Sequence, residues 1–194
     1  HYVVLDVVDD DPGAAAVYDS HGYTRCGPSS KYLRASPTAP PQPAPSPHRR
    51  EFRKSDGPKL AAIVGSFLPA ARTAVQPVRP GEFGLAPSIV RALDSKTASW
   101  VLDTGSGAIG WVRATVSPAM EAGHLTAPVV DPSAAPAEVQ ALVETAVRWA
   151  VANGAVRLLS EVADENLHGA AALRSAGFEL AYGSRTLARP TGIA

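Results

Sequence analysis

Asp103-Thr104-Gly105-Ser106 stands between two apolar segments, a setting in which a carboxylate can serve as half of an acid–base pair. Aspartic proteolysis needs two facing carboxylates that share one proton, one acting as base while the other acts as acid. A second Asp-Thr/Ser-Gly is absent from the 194 residues, and the chain goes on into a helical pattern rather than an all-β half. The protease reading is therefore rejected, and "DTGSG" is expected to be the turn of a hairpin, where Asp, Gly and Ser are favoured. The acidic groups Asp9-Asp10-Asp11 and Glu161, Asp164, Glu165 lie where strands hand over to helix N-termini, which attract acids without any cation. The five histidines show no ligand spacing. His124, on an expected strand, is either a base or a half-buried structural residue. Trp100, Trp111 and Trp149 are expected in the core, and no Ser-His-Asp or Cys-His set can be assembled.

Eighteen Lys and Arg balance eighteen Asp and Glu, so no global field draws in nucleic acid or an anionic membrane. Cys26 is the single cysteine, which excludes an internal disulfide and any multi-cysteine zinc site. This usage fits a reducing compartment, and a cytoplasmic location without metal is expected. The nearest approach to a membrane span, Leu60 to Ala71, is interrupted by Gly65, Ser66 and Pro69 and is shorter than the ~20 residues required. The opening His-Tyr-Val-Val has neither an initiator Met nor a signal-peptide pattern, and is expected to continue a longer polypeptide.

Residues 37–47, "PTAPPQPAPSP", hold six prolines and predict an extended spacer. The basic stretch His48 to Lys54 is expected to belong to it as a solvated linker. On either side the chain repeats itself. A shift of 155 positions lays Val3–Tyr23 over Leu158–Phe178, matching Val7 with Val162, Ala15 with Ala170, Ser20 with Ser175 and Gly22 with Gly177. Each copy reads as an apolar strand, an N-cap (Asp11 or Asn166), a short Ala-rich helix, a Gly stop, and an aromatic opening a second strand. Val139, Leu142, Val143, Ala146, Val147, Ala150 and Val151 form one face of a helix over 137–153. Strands are expected at Ser99–Asp103, Ala108–Val116 and Gly123–Val130, with a first strand at Ala74–Arg79 and a helical segment over Glu82–Leu93. The fold class is α/β (α+β), a mixed, mostly antiparallel central sheet flanked by helices.

This order of elements, with the motif Asn-x-x-Ala-x-x-Leu-Tyr-x-x-x-Gly-Phe, resembles the GNAT superfamily of acetyl-coenzyme A-dependent N-acetyltransferases. "NLHGAAALRSAGF" carries Asn166, Gly177 and Phe178, with Gly169 in the Ala slot; "DPGAAAVYDSHGY" keeps Ala14, Tyr18 and Gly22, with Asp11 for Asn and Tyr23 for Phe. The resemblance covers residues 1–34 and about 73–189. It implies a tandem arrangement: residues 1–36 as the C-terminal piece of a first unit, 37–58 as linker and 59–194 as a complete second unit.

The resemblance also implies an acetyl group passing from acetyl-CoA to an amine by direct attack on the thioester, with backbone amides of a splayed strand polarising the carbonyl. The expected coenzyme-binding residues are Val129, Val130 and Asn166. A Tyr on the later helix protonates the leaving thiolate, and Tyr18 holds that position. The partner is a small-molecule or peptide amine, without nucleic acid or membrane, and a homodimer is compatible. The second unit departs from the pattern where a Gly-rich loop should hold pyrophosphate. "VDPSAAPAEVQALV" places Ala135 in the Arg slot and Pro136, Glu138 and Gln140 in the Gly slots, and Leu173 replaces the Tyr. Proline has no N–H for a phosphate oxygen, and Glu138 adds negative charge at the helix N-terminus. The expectation is a degenerate second unit. A non-catalytic module for dimerisation or substrate holding is the alternative.

Overall fold

Residues 2–8, 11–35, 38–42, 46–84 and 95–191 are described by a computed structural model. The repeat governs the architecture. Strand β1 (Tyr2–Val8), helix α1 (Pro12–Ser20) and strand β2 (Thr24–Ala35) have the bounds of β8 (Arg157–Ala163), α5 (Leu167–Ser175) and β9 (Glu179–Pro190), each moved by 155 positions. The local causes repeat as well. Asp11 and Asn166 each accept the backbone N–H three residues on, from Ala14 and Gly169. Gly22 and Gly177 then turn the chain at φ 78° and 80°, a conformation that side chains with a Cβ avoid.

Among the described residues the strands run β1-β9-β2-β8-β6-β5-β4-β3 in a single mixed sheet, with β7 on β5. The two copies interleave: β9 lies between β1 and β2, and β2 between β9 and β8. Ser29 faces Ser184, its own repeat equivalent, so a pseudo-two-fold axis passes through that pair. All seven β1–β9 pairs, from Tyr2↔Pro190 to Val8↔Ser184, map by the same shift onto the seven β2–β8 pairs, from Ala35↔Arg157 to Ser29↔Ala163. The weak similarity in sequence is thus an accurate register in space.

The other strands are β3 (Arg49–Glu51), β4 (Lys96–Asp103), β5 (Ala108–Ser117), β6 (Ala122–Leu125) and β7 (Val129–Val130); the other helices are α2 (Gly57–Phe67), α3 (Ala70–Val75) and α4 (Pro136–Ala152). The α4 face predicted from spacing is the buried one, with Leu142, Val143, Ala146 and Val147 fully enclosed against β4 and β5. With α5 it covers one side of the sheet. On the other side α2 packs Leu60, Ile63 and Val64 against Val101, Trp111 and Val129.

Four expectations about elements need correction. Arg49–Glu51 is an edge strand on β4, not solvated linker, and the following Lys54–Asp56 turn and the start of α2 are ordered too. Charged residues are at home on a sheet edge, and that is why this strand lacks an apolar signature. Ala70–Val75 is a helix where a first strand over Ala74–Arg79 was expected: Pro69 opens it in extended conformation, and its short length conceals the helical period. The predicted strand Gly123–Val130 is broken at Thr126-Ala127-Pro128 into β6 and β7. In place of a helix from Glu82, Pro80–Gly84 form a 3-10 turn. The remainder of the Glu82–Leu93 segment, from 85 on, lies outside the described residues, as do Asp9 and Asp10.

Candidate functional site

The break between β6 and β7 opens the sheet. β6 runs parallel to β8 only from Ala122↔Arg157 to His124↔Leu159, whereas β7 pairs with β5. Asn166 spans the gap: its Nδ2 donates to the Pro128 carbonyl at 2.9 Å while its Oδ1 accepts the Gly169 amide at 2.9 Å. Gly169 fills the slot where the motif expects Ala because a Cβ there would stand 2.5 Å from the Pro128 oxygen. The resulting cavity, of about 430 Å³, is walled by Val129, Asn166 and Glu161 from the opened sheet, by α2 and α3, and by Asp6 and Ser29 from the first copy.

Arg72 of α3 is buried at this junction. Its Nη2 donates to Ser29 Oγ at 2.5 Å and Thr186 Oγ1 at 2.6 Å, its Nη1 to the Pro28 carbonyl, and Glu165 lies at 3.7 Å. One guanidinium thereby ties helix α3 to both copies of the repeat. Lys31 reaches Asp6 at 3.7 Å and pairs closely with Glu161. Arg113 donates to the Glu82 carbonyl and Thr126, and its guanidinium lies 5.4 Å over the Trp111 ring. His124, an exposed residue of β6, lines the cavity. Desolvation by the surrounding protein, and then the nearby Arg113 and Lys31, push its pKa below the ordinary imidazole value.

The loop after β7 is closed by its own groups. Ser133 donates through both N–H and Oγ to Asp131, the Ala134 amide to the Asp131 carbonyl, and the Glu138 amide to the Ala135 carbonyl. These Ser133 bonds hold the Asp131 carboxyl below its usual range. Glu138, in the first turn of α4, accepts from Ser46 at 3.3 Å and has Arg49 Nε at 3.9 Å. A protein carboxylate thus stands where a helix N-terminus would otherwise attract a foreign anion.

Of the residues singled out from sequence, Val129 and Asn166 meet at the cavity. Val130 is buried on β7 next to them. Tyr18 is not among the cavity's walls: it is half-buried on α1, its ring edge-on to Tyr23 at 5.4 Å. Leu173, its repeat equivalent, is fully buried. Arg72, Lys31 and Glu82 escaped sequence reasoning because no motif marks them. Lys31 stands opposite Glu161 only because β2 pairs with β8, a pairing that the sequence does not show. Asp103 is structural: it accepts the Gly105 and Gly107 amides at 2.9 and 3.2 Å and the Arg50 guanidinium at 2.6 Å. Asp56 takes the other side of the same guanidinium at 2.7 Å, so the two carboxylates share an arginine and not a proton.

Among the described residues no three His, Cys, Asp or Glu side chains gather as a metal-binding group, and no helix is long and apolar enough to cross a membrane. No family model matches the chain, and no curated protein matches it. Solved structures do. A tandem GNAT protein from the clavulanic acid biosynthesis pathway, without AcCoA, superposes with a TM-score of 0.63 at 16% identity, over 100% of this chain and 65% of that one. A GCN5-related N-acetyltransferase from Sphaerobacter thermophilus gives 0.59 at 15%, over 97% and 59%. Another from Kribbella flavida gives 0.58 at 15%, over 98% and 69%. The chain has a GNAT-like fold over its full length, and it spans less than two thirds of the first two of these proteins.

Proposed function

We propose that the protein is part of a tandem GNAT acyltransferase that moves an acetyl group from acetyl-CoA to an amine. In this reading residues 1–36 complete a first unit, 59–194 form the second, and the second no longer takes coenzyme. The observation that carries it is the pseudo-two-fold sheet, in which two copies of one strand-helix-strand unit exchange strands in matching register. Exposure of the first copy supports the missing half. Val3 and Val17 are 41% and 55% exposed, while their equivalents Leu158 and Ala172 are 0% and 6% exposed beneath the rest of the second unit. The first copy thus presents the face that a core of its own would cover.

Closure of the 131–138 loop by Asp131, Ser133 and Glu138 supports a coenzyme-free second unit. The same loop favours the alternative, a non-catalytic module that holds substrate or joins subunits, if no first unit completes the chain. Calorimetric titration of the 194-residue chain with acetyl-CoA tests the closure, and no saturable heat is expected. Saturable binding would return catalysis to the second unit and to Val129, Val130 and Asn166. In a polypeptide that supplies the rest of the first unit, Tyr18 would give its phenolic proton to the thiolate as the amine nitrogen displaces it. Tyr18→Phe there should lower kcat by about ten-fold or more while leaving coenzyme affinity within about two-fold. An unchanged kcat would remove Tyr18 from the reaction.

A further inference from the structure

Two arginines reach across the pseudo-two-fold. Arg34, in β2 of the first copy, donates through Nη1 to the Ala176 carbonyl at the end of α5, at 2.8 Å. Arg189, in β9 of the second copy, donates through Nη1 to the His21 carbonyl at the end of α1, at 3.2 Å. Arg34 and Arg189 are repeat equivalents, and so are His21 and Ala176, each pair 155 positions apart. Each copy thus closes the other's helix with one guanidinium. The end of a helix suits it, because carbonyls there lack intrahelical partners and favour a cation.

The side chains beside these two bonds are not alike. In the second copy Leu173 and Phe178 are 0% and 2% exposed, and the core itself fixes them. In the first copy their equivalents are Tyr18 and Tyr23, both half-buried, and none of the side chains of α1 is buried. Enclosure therefore does not fix the Tyr18 ring. It meets the Tyr23 ring edge-on, with centroids 5.4 Å apart, and the Tyr23 amide donates to the Tyr18 carbonyl at 3.1 Å. The Arg189 guanidinium lies over the Tyr23 ring, 5.2 Å from its centroid. Contacts thus run from the last strand of the second copy, through Tyr23, to the phenol of the first. A cation over a ring face and an edge-on ring pair are both attractive and both directional.

We propose that Arg189 is a positioning residue for Tyr18, fixing through Tyr23 the ring whose role as proton donor rests on the proposed function. Arg189 acts on the Tyr23 ring and not on the thiolate. Its bond to His21 anchors the guanidinium, and the anchored charge holds the Tyr23 ring face, which leaves the ring edge in one place for Tyr18 to pack on. The second unit, without coenzyme of its own, thereby serves the chemistry of the first. Arg34 makes the equivalent bond with no such consequence, because Leu173 and Phe178 carry no acid and are held by the core.

NMR of the 194-residue chain with isotopically labelled tyrosine rings reads this arrangement directly, the Tyr18 signal being assigned by its loss in Tyr18→Phe. Arg189→Gln is expected to shift the Tyr18 ring signals and to abolish the nuclear Overhauser contact between the Tyr18 and Tyr23 rings, while the amide signals of β8 and α5 stay in place. Arg189→Lys keeps a cation for the ring and a donor for His21, and should restore most of the wild-type pattern. Arg34→Gln removes the equivalent bond in the other copy and should leave the Tyr18 signals as they are. Tyr18 signals that stay put in Arg189→Gln, that Arg189→Lys does not recover, or that move as far in Arg34→Gln would each overturn the proposal. Should Arg189→Gln fold poorly, Tyr23→Leu breaks the same contacts one step on, and unmoved Tyr18 signals there would overturn it equally. In a polypeptide that supplies the rest of the first unit, Arg189→Gln should lower kcat about three-fold with the coenzyme KM within about two-fold, and should lower kcat no further in a Tyr18→Phe background. Additive losses would separate Arg189 from Tyr18 and sink the positioning role. An unchanged kcat in Tyr18→Phe alone would instead sink the proton-donor reading, and the ring contacts, read without coenzyme, would stand.

Discussion

Two aspartates facing one arginine sum up what single residues do here. Arg50 bonds Asp56 at 2.7 and 2.9 Å and Asp103 at 2.6 and 3.0 Å, pinning edge strand β3 to the β4–β5 hairpin and to the start of α2. Hydrogen bonding to Arg50 is the main reason both carboxyls lie below the usual range. Arg50→Met should cost about 3 kcal/mol in urea unfolding, since it leaves a 5%-exposed Asp56 without its cation. The sign of the pH effect follows from the depressed values. As pH falls, carboxyls of the unfolded chain protonate first, near ~4, so the contribution is whole above that and disappears as pH passes through the lower folded values. Asp103→Asn should therefore be less stable than wild type at pH 7, with a gap that narrows towards pH ~2. A gap independent of pH would remove the ion pair from the account. Sequence alone identified "DTGSG" as a turn, because turn chemistry is local; Arg50 is distant in sequence from Asp103 and could not be paired with it.

At the scale of elements, Asn166 and Gly169 show how one motif serves two different settings. In α1 the equivalent pair is Asp11 and Ala14, an exposed cap with room for a methyl group. In α5 the cap is buried and also holds Pro128, leaving no space for a Cβ at 169. Gly→Ala inside a helix ordinarily stabilises by about 0.5–1 kcal/mol. Gly169→Ala should instead destabilise by about 2 kcal/mol, because either the cap or the Pro128 contact must shift. Thermal unfolding decides the sign, and a stabilised variant would mean that the sheet opening is softer than its geometry. Elements with strong internal periods, α4, β4, β5 and both repeats, were legible from sequence to within a few residues. β3 and α3 were not, because three charged residues and a six-residue helix carry too little pattern. The split of β6 from β7 falls at Pro128, which has no N–H for a ladder, and the hydrogen bond that Asn166 gives its carbonyl is a tertiary contact with no local pattern.

The molecule as a whole was legible as two copies but not as one exchanged sheet, because a strand's own residues do not say which neighbour its edges will choose. Both hydrogen-bonded neighbours of β9, β1 and β2, come from the first copy, and β2 also separates β9 from β8. Residues 46–194 by themselves therefore lack both strands that flank β9. Removing residues 1–45 would leave β9 without a partner and expose the edge of β8, while Ser29 and Thr186 would no longer meet around Arg72. Unpaired strand edges and a guanidinium deprived of two of its acceptors, Pro28 and Ser29, are each destabilising, against the ~5–15 kcal/mol that a domain holds in reserve. A chain comprising residues 46–194 should thus show no cooperative urea transition and should self-associate in sedimentation, whereas the 194-residue chain unfolds in a single step. If the shortened chain unfolded cooperatively as a monomer, β8 and β9 would have closed on each other. The interleaving would then be an exchange the fold permits and not one it requires.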